Sequence, residues 1–204
     1  MRTNINNDKI IIRSVIGAVK KVVRVPIWVK LTPSTSSLVS ASKAAYEAGV
    51  SSISLCNTFP SLPLMDPETM KFEDEVDGLV TSAGLVGLAM LHQALQGVSD
   101  IFRAFPNSEL SGIGCIRGSH EASNFIIHGA RNLQVCTAAM EEKGSGGVAA
   151  QLIQELTHDL ADYLKRHSYS SVEEIRVISH NRIVQHSQVG RKSGNYTGGY
   201  TAAS

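Results

Sequence analysis

Aromatic residues are scarce in this chain of 204 residues, with one Trp, five Tyr and five Phe. No apolar run approaches the ~18 residues a membrane span needs. Met1 to Asn7 lacks the apolar stretch of a signal peptide, so the expected setting is cytoplasmic, without membrane attachment. Cysteine is equally sparse. Cys56, Cys115 and Cys136 are odd in number and far apart, which excludes a disulfide framework and a CxxC zinc pair. Charge of one sign is also missing, since 19 Lys and Arg stand against 18 Asp and Glu for a net +1. Neither a nucleic-acid footprint nor an acidic tail follows from such a balance. What the chain does have is 43% hydrophobic content, enough for an ordinary folded core.

That content is periodic. From Asp8, placed to cap a helix, to Val23, apolar residues at Ile10, Ile11, Val15, Ile16, Val19, Val22 and Val23 predict a helix. Pro26 opens the short apolar run Ile27 to Leu31, which reads as a buried strand. Ser36 to Glu47 is an Ala-rich helix stopped by Gly49, and Ser51 to Cys56 is the next strand. Asn57 to about Gly84 reads as irregular. A helix from Leu88 to Phe105, a strand from Glu109 to Ile113, a helix from Ser119 to His128 and a strand from Asn132 to Cys136 follow. Val148, Leu152, Ile153, Leu156, Leu160, Tyr163 and Leu164 then mark an amphipathic helix. Gln185 to Ser204, rich in Gly, Ser and Thr, reads as a mobile tail. Four short apolar strands, each followed by a helix, predict a parallel α/β fold with chemistry at the C-terminal strand ends.

The first of those ends carries Lys30, which has two readings: a lysine reaching solvent, or a cation aimed at an electron-rich ring or oxyanion. At the second, Asn57 and Thr58 are either turn formers or polar groups at a binding mouth. After the third, Gly112, Gly114 and Gly118 precede a helix, a pattern suited to phosphate. The GxGxxxG spacing is one residue too long for a dinucleotide fingerprint, and the P-loop Lys-Ser/Thr is absent. The fourth ends on Cys136, Thr137 and Ala138, and two adjacent strand ends of small residues make a phosphate groove. The cysteines read either as small buried fillers, the preferred reading, or as reactive thiols. No HExxH or Cys/His pairing among the seven histidines points to a metal, and no GxSxG elbow is present.

In order, Val29-Lys-Leu-Thr-Pro33, Leu55-Cys-Asn-Thr58, Leu110-Ser-Gly-Ile-Gly114 and Asn132-Leu-Gln-Val-Cys-Thr-Ala-Ala-Met140 resemble the flavin-binding barrel of the dihydropyrimidine dehydrogenases and their dihydroorotate dehydrogenase relatives. The resemblance covers roughly Asp8 to Ile178 and implies a partial TIM (β/α)8 barrel, about four βα units of its second half. Residues 1–7 are then a short stub, 8–178 the barrel domain and 179–204 the polar tail. The implied activity is FMN-dependent reduction of the 5,6 double bond of uracil or thymine in pyrimidine catabolism. By resemblance, Lys30 lies near the flavin ring and Asn57 and Thr58 contact the pyrimidine. Backbone at Gly84, Gly114, Cys115, Cys136 and Thr137 holds the flavin phosphate.

Three departures qualify the resemblance. Gly114-Cys115 stands where the family has two glycines, and Ala83-Gly84 where a Gly-Gly pair is usual. The family's acid cysteine would precede Asp8 and is missing, and three isolated cysteines build no iron–sulfur cluster, which takes four. Electrons from NAD(P)H are therefore expected through an iron–sulfur module elsewhere. Two unpaired sheet edges predict a homo-oligomer or a complementing chain. The competing expectations are a non-catalytic remnant or accessory chain that folds on a partner and, ranked last, a nicotinamide-dinucleotide-binding module.

Overall fold

The computed structural model describes residues 9–32, 38–73, 75–141 and 148–184. Four strands, β1 (Trp28–Leu31), β2 (Ser52–Leu55), β7 (Leu110–Ile113) and β8 (Asn132–Gln134), form one parallel sheet in the order β1-β2-β7-β8. Between β2 and β7 run the short pieces β3 (Phe59–Ser61), β4 (Met65–Asp66), β5 (Lys71–Phe72) and β6 (Ala83–Leu85). Helices α1 (Lys9–Val22), α2 (Leu38–Glu47), α3 (Leu91–Ala104) and α4 (Ser119–Ile127) alternate with the strands of the main sheet. Helices α5 (Thr137–Glu141), α6 (Val148–Arg166) and α7 (Val172–Ile175) follow β8. The expected parallel α/β architecture is therefore present as half of a (βα)8 barrel.

Side chains alternate across the sheet because successive Cβ atoms on a strand point to opposite faces. Leu31, Ile53, Leu55 and Leu110 are all at most 1% exposed and pack under α2, α3 and α4. The small Ala41, Ala44 and Ala45 of α2 and Ala94 and Val98 of α3 let those helices approach closely. At the crossing of α4 over β7, a Cβ on Gly112 would sit 2.5 Å from Cδ1 of Phe125, so the aromatic ring takes the space of a side chain. Gly129 ends α4 at φ +113, and a Cβ there would lie 2.5 Å from Phe102 Cγ. Backbone conformation and packing both call for glycine at that stop.

The opposite face carries the polar Lys30, Ser52, Ser54, Ser111, Asn132 and Gln134 together with the apolar Trp28 and Ile113. No described strand pairs with the outer edge of β1 or of β8, and Trp28 on β1 is 49% exposed. Helix α1 buries Ile12 and Ile16 against the core, while Ile10, Val15 and Val22 remain exposed at 75%, 52% and 82%. The apolar stripe expected for α1 is thus only partly the buried one. Its periodicity marks two apolar sides, and the neighbouring α2 covers one of them.

Three further expectations are corrected. The stretch from Asn57 to Gly84 is not wholly irregular, since β3 pairs antiparallel with β6, and β4 with β5. Asp66 Oδ1 accepts from the Glu68 and Thr69 N–H groups and makes the tight turn between β4 and β5, a local device that hydrophobic periodicity does not reveal. The helix from Leu88 opens with a 3₁₀ turn, Leu88–Met90, before α3, and the fourth strand stops at Gln134 rather than Cys136. The cap expected at Asp8 and the tail from Gln185 lie outside the described residues.

Candidate active site

The C-terminal ends of β1, β2, β7 and β8 open into one cleft enclosing about 710 Å³, its mouth included. Seven of the eight residues singled out in the sequence line it: Lys30, Asn57 and Thr58 on one side, Gly114, Cys115, Cys136 and Thr137 on the other. The backbone sets this gathering. Asn57 N–H donates to the Leu31 carbonyl at 2.9 Å and Cys56 N–H to the Ile113 carbonyl at 2.9 Å, so the end of β2 is tied between β1 and β7. Asn57 and Thr58 consequently leave the sheet at the centre of the row of strand ends.

Gly84 is the exception. It lies on β6 opposite Pro60, and a Cβ there would meet Thr58 Oγ1 at 2.3 Å. Gly84 therefore lets β6 lie against Thr58, and it borders a neighbouring surface hollow instead of the cleft. The next residues, Leu85 to Gly87, form the cleft wall.

Lys30 is exposed and has no ion-pair partner among the described residues. Its charge opposes, without overcoming, the burial that pushes the Cys56 thiol up to about 11. Cys56 is thus a protonated buried filler at neutral pH. The filler reading fails for Cys136, which is exposed and places its Sγ 3.8 Å from Met140 Sδ, because the strand ends two residues before it. Cys115 is partly exposed and sits at φ +52, beside Gly114 at φ +136. An L-residue in that left-handed region costs roughly 1 kcal/mol that glycine would not.

The α4 N-terminus, which follows the glycines, is capped from within its own helix. Glu121 Oε2 accepts the Gly118 N–H at 3.0 Å, so that end is already met by a carboxylate of its own helix. Gly114, Cys115, Cys136 and Thr137 line the cleft. Sequence reasoning missed Arg117, Met90 and Gln134, all of which line the cleft. Arg117 was legible as a cation just after the glycines. Gln134 was hidden inside a run taken for a buried strand. Among the described residues no group of three or more His, Cys, Asp or Glu side chains is set to hold a metal, and no helix is long and apolar enough to cross a membrane.

Parallel βα units with helices on one face and a cleft at the C-terminal strand ends define half of a (βα)8 barrel. The chain belongs to the dihydroorotate dehydrogenase family, whose pattern matches residues 2–160. It is 29% identical over 181 residues to the chloroplastic dihydropyrimidine dehydrogenase (NADP(+)) of Arabidopsis thaliana, covering 86% of this chain and 41% of that one. To the catalytic subunit of dihydroorotate dehydrogenase B (NAD(+)) of Petrotoga mobilis it is 31% identical, covering 81% and 51%. To the NAD-dependent dihydropyrimidine dehydrogenase subunit PreA of Escherichia coli K12 it is 25% identical, covering 90% and 44%. The chain thus spans about half the length of these relatives. In fold it is similar to the crystal structure of DHODH in complex with ferulenol from Eimeria tenella. The TM-score is 0.64 at 19% identity, over 85% of this chain and 49% of that one.

Proposed function

We propose that this chain is the second half of an FMN-binding barrel that reduces the 5,6 double bond of uracil or thymine, with residues 8–178 as the barrel part. One observation carries the reading: Lys30, Asn57 with Thr58, and the small residues after β7 and β8 meet in one cleft although they come from four separate strand ends. The donor set fits FMN. An unpaired ammonium at Lys30 suits a ring that becomes anionic on reduction. The Asn57 amide and Thr58 hydroxyl have no protein partner among the described residues, so both are available to a pyrimidine edge. Gly114, Cys136 and Thr137 line the cleft, where their backbone groups would hold a phosphate beside Cys115.

FMN, when bound, would supply the hydride for C6 of the pyrimidine. Lys30 stabilises negative charge beside the ring, and Asn57 and Thr58 fix which face of the pyrimidine is presented. No described residue is assigned the proton delivered to C5, so turnover requires an acid from the other half of the barrel. Electrons arrive from an NAD(P)H-linked iron–sulfur module elsewhere, in a cytoplasmic setting. The open edges of β1 and β8 and the exposed Trp28 support association with a second copy or a complementing half. A monodisperse monomer in sedimentation at micromolar concentration would contradict that association.

Strained Cys115 favours a second reading, an accessory chain that folds on a partner and binds no flavin. The experiment combines this chain with a separately produced first half of a relative's barrel and supplies FMN, a chemical reductant and uracil. Formation of dihydrouracil only in the mixture supports the proposal, and a mixture that binds FMN yet leaves uracil untouched contradicts it. Dihydroorotate oxidised in place of uracil reduction would assign the sister activity.

A further inference from the structure

The side chain of Gln134 crosses the polar face of the sheet and is held there by two serines from neighbouring strands. Its Nε2 donates to Ser54 Oγ on β2 at 2.7 Å and to Ser111 Oγ on β7 at 2.8 Å. Both serines are sealed, Ser111 at 0% and Ser54 at 3% exposure. An amide NH2 has two donors, and both are used, which leaves the carbonyl Oε1 as the one polar atom still to be met. Oε1 has no partner among the described residues and is not closed off from solvent, and Gln134 lines the cleft. In register, Ser54 stands beside Lys30 of β1, so the amide is held over the strand next to the lysine. The Gln134 amide and the Lys30 ammonium thus line the same cleft, with Ser54 between their strands.

We infer that Gln134 Oε1 and Lys30 Nζ together read a lactam-like ring edge, in which an N–H stands beside a C=O or ring nitrogen. Ser54 and Ser111 act as positioning residues that set which way the amide faces. The inference rests on the reading just proposed, because a flavin and a pyrimidine both carry such an edge. A glutamine without the serines turns over freely and presents NH2 as readily as oxygen. Facing a ligand N–H, the turned amide leaves two donors opposed and unsatisfied. The clamp thus gives the site a preference for ring N–H over ring N–CH3.

The whole chain is titrated with FMN, followed by quenching of flavin fluorescence, and the FMN-loaded protein with uracil, followed by calorimetry. Wild type is compared with Gln134→Leu and with the double variant Ser54→Ala/Ser111→Ala, and the titrations are repeated with 3-methyl-FMN and with 1- and 3-methyluracil. Gln134→Leu is expected to weaken one probe about 10-fold, the scale of one well-placed hydrogen bond, and to abolish the N-methyl penalty seen in wild type. The double serine variant keeps the glutamine and should lose most of the same discrimination, which also serves if Gln134→Leu does not fold. An effect on FMN alone assigns the edge to the flavin, and an effect on uracil alone to the substrate. Unchanged affinities, or an equal N-methyl penalty in wild type and both variants, overturn the inference while leaving the flavin reading standing. A wild type that binds neither probe overturns both.

Discussion

The two faces of the four-stranded sheet are built to opposite rules. Under the helices stand Leu31, Ile53, Leu55 and Leu110, sealed and apolar, with Gly112 left bare so that Phe125 can lie on the strand. Across from them stand Lys30, Ser52, Ser54, Ser111 and Gln134, the polar positions of a face that also carries Trp28 and Ile113. A sheet with a single core would leave its second face to solvent in alternating polar residues of no particular order. Here the polar groups are joined into a network across three strands and lead up to the cleft. The covered face stabilises the fold, and residues of the other face line the cleft proposed as the ligand site.

Substitutions separate the two roles. Phe125→Ala should cost about 3–5 kcal/mol by opening a cavity over Gly112, a large part of the stability of any domain of this size, whereas Ser111→Ala should cost only about 1 kcal/mol. Urea unfolding of both variants checks this, and equal losses would erase the distinction between the faces. Next in size is Lys30→Gln, which removes a cation with no ion-pair partner among the described residues. FMN affinity should fall at least about 10-fold, with little change in unfolding midpoint, because a charge-assisted contact is lost without touching the core.

A smaller effect is expected of Cys115→Gly. Relief of the left-handed strain at φ +52 and of crowding beside Gly114 should tighten FMN binding a few-fold and raise thermal stability slightly. Unchanged or weaker binding would count against the crowding argument. The smallest effect concerns His180, which stacks on Phe102 with ring centroids 4.7 Å apart, near His128, Arg103 and Arg176. Burial lowers its ionisation below the usual 6.5, so the unfolded chain takes up its proton at higher pH than the folded one. Its contribution is present above about pH 6.5 and is lost as pH falls through that value. Thermal melts from pH 8 to 5 should slope downward, and His180→Gln should flatten the slope.

Much of the fold was legible because strands and helices here obey simple periods. All four sheet strands and the helices between them fall within a few residues of their sequence-based bounds, and Gly49 and Gly129 mark stops by conformation. Periodicity could not say which side of α1 would be covered, since Ile10, Val15 and Val22 are as apolar as Ile12 and Ile16. Nor could it find the β-pieces between Asn57 and Gly87, which are two or three residues long and held by turn chemistry and one close glycine contact. Of the residues that sequence motifs singled out, all but Gly84 line the cleft, whereas Gln134 lines it without having been singled out. Its meaning lies in hydrogen bonds to serines 80 and 23 residues away, which no local pattern carries.

The account turns on whether the strand-end cleft is a flavin site. Equilibrium dialysis of the purified chain against FMN, read by visible absorbance, tests it most directly. The account predicts one FMN retained per chain, with shifted absorbance bands, and its loss in Lys30→Gln at the same FMN concentration. Free FMN on both sides of the membrane with a folded wild-type chain, or equal retention by the Lys30 variant, would contradict it.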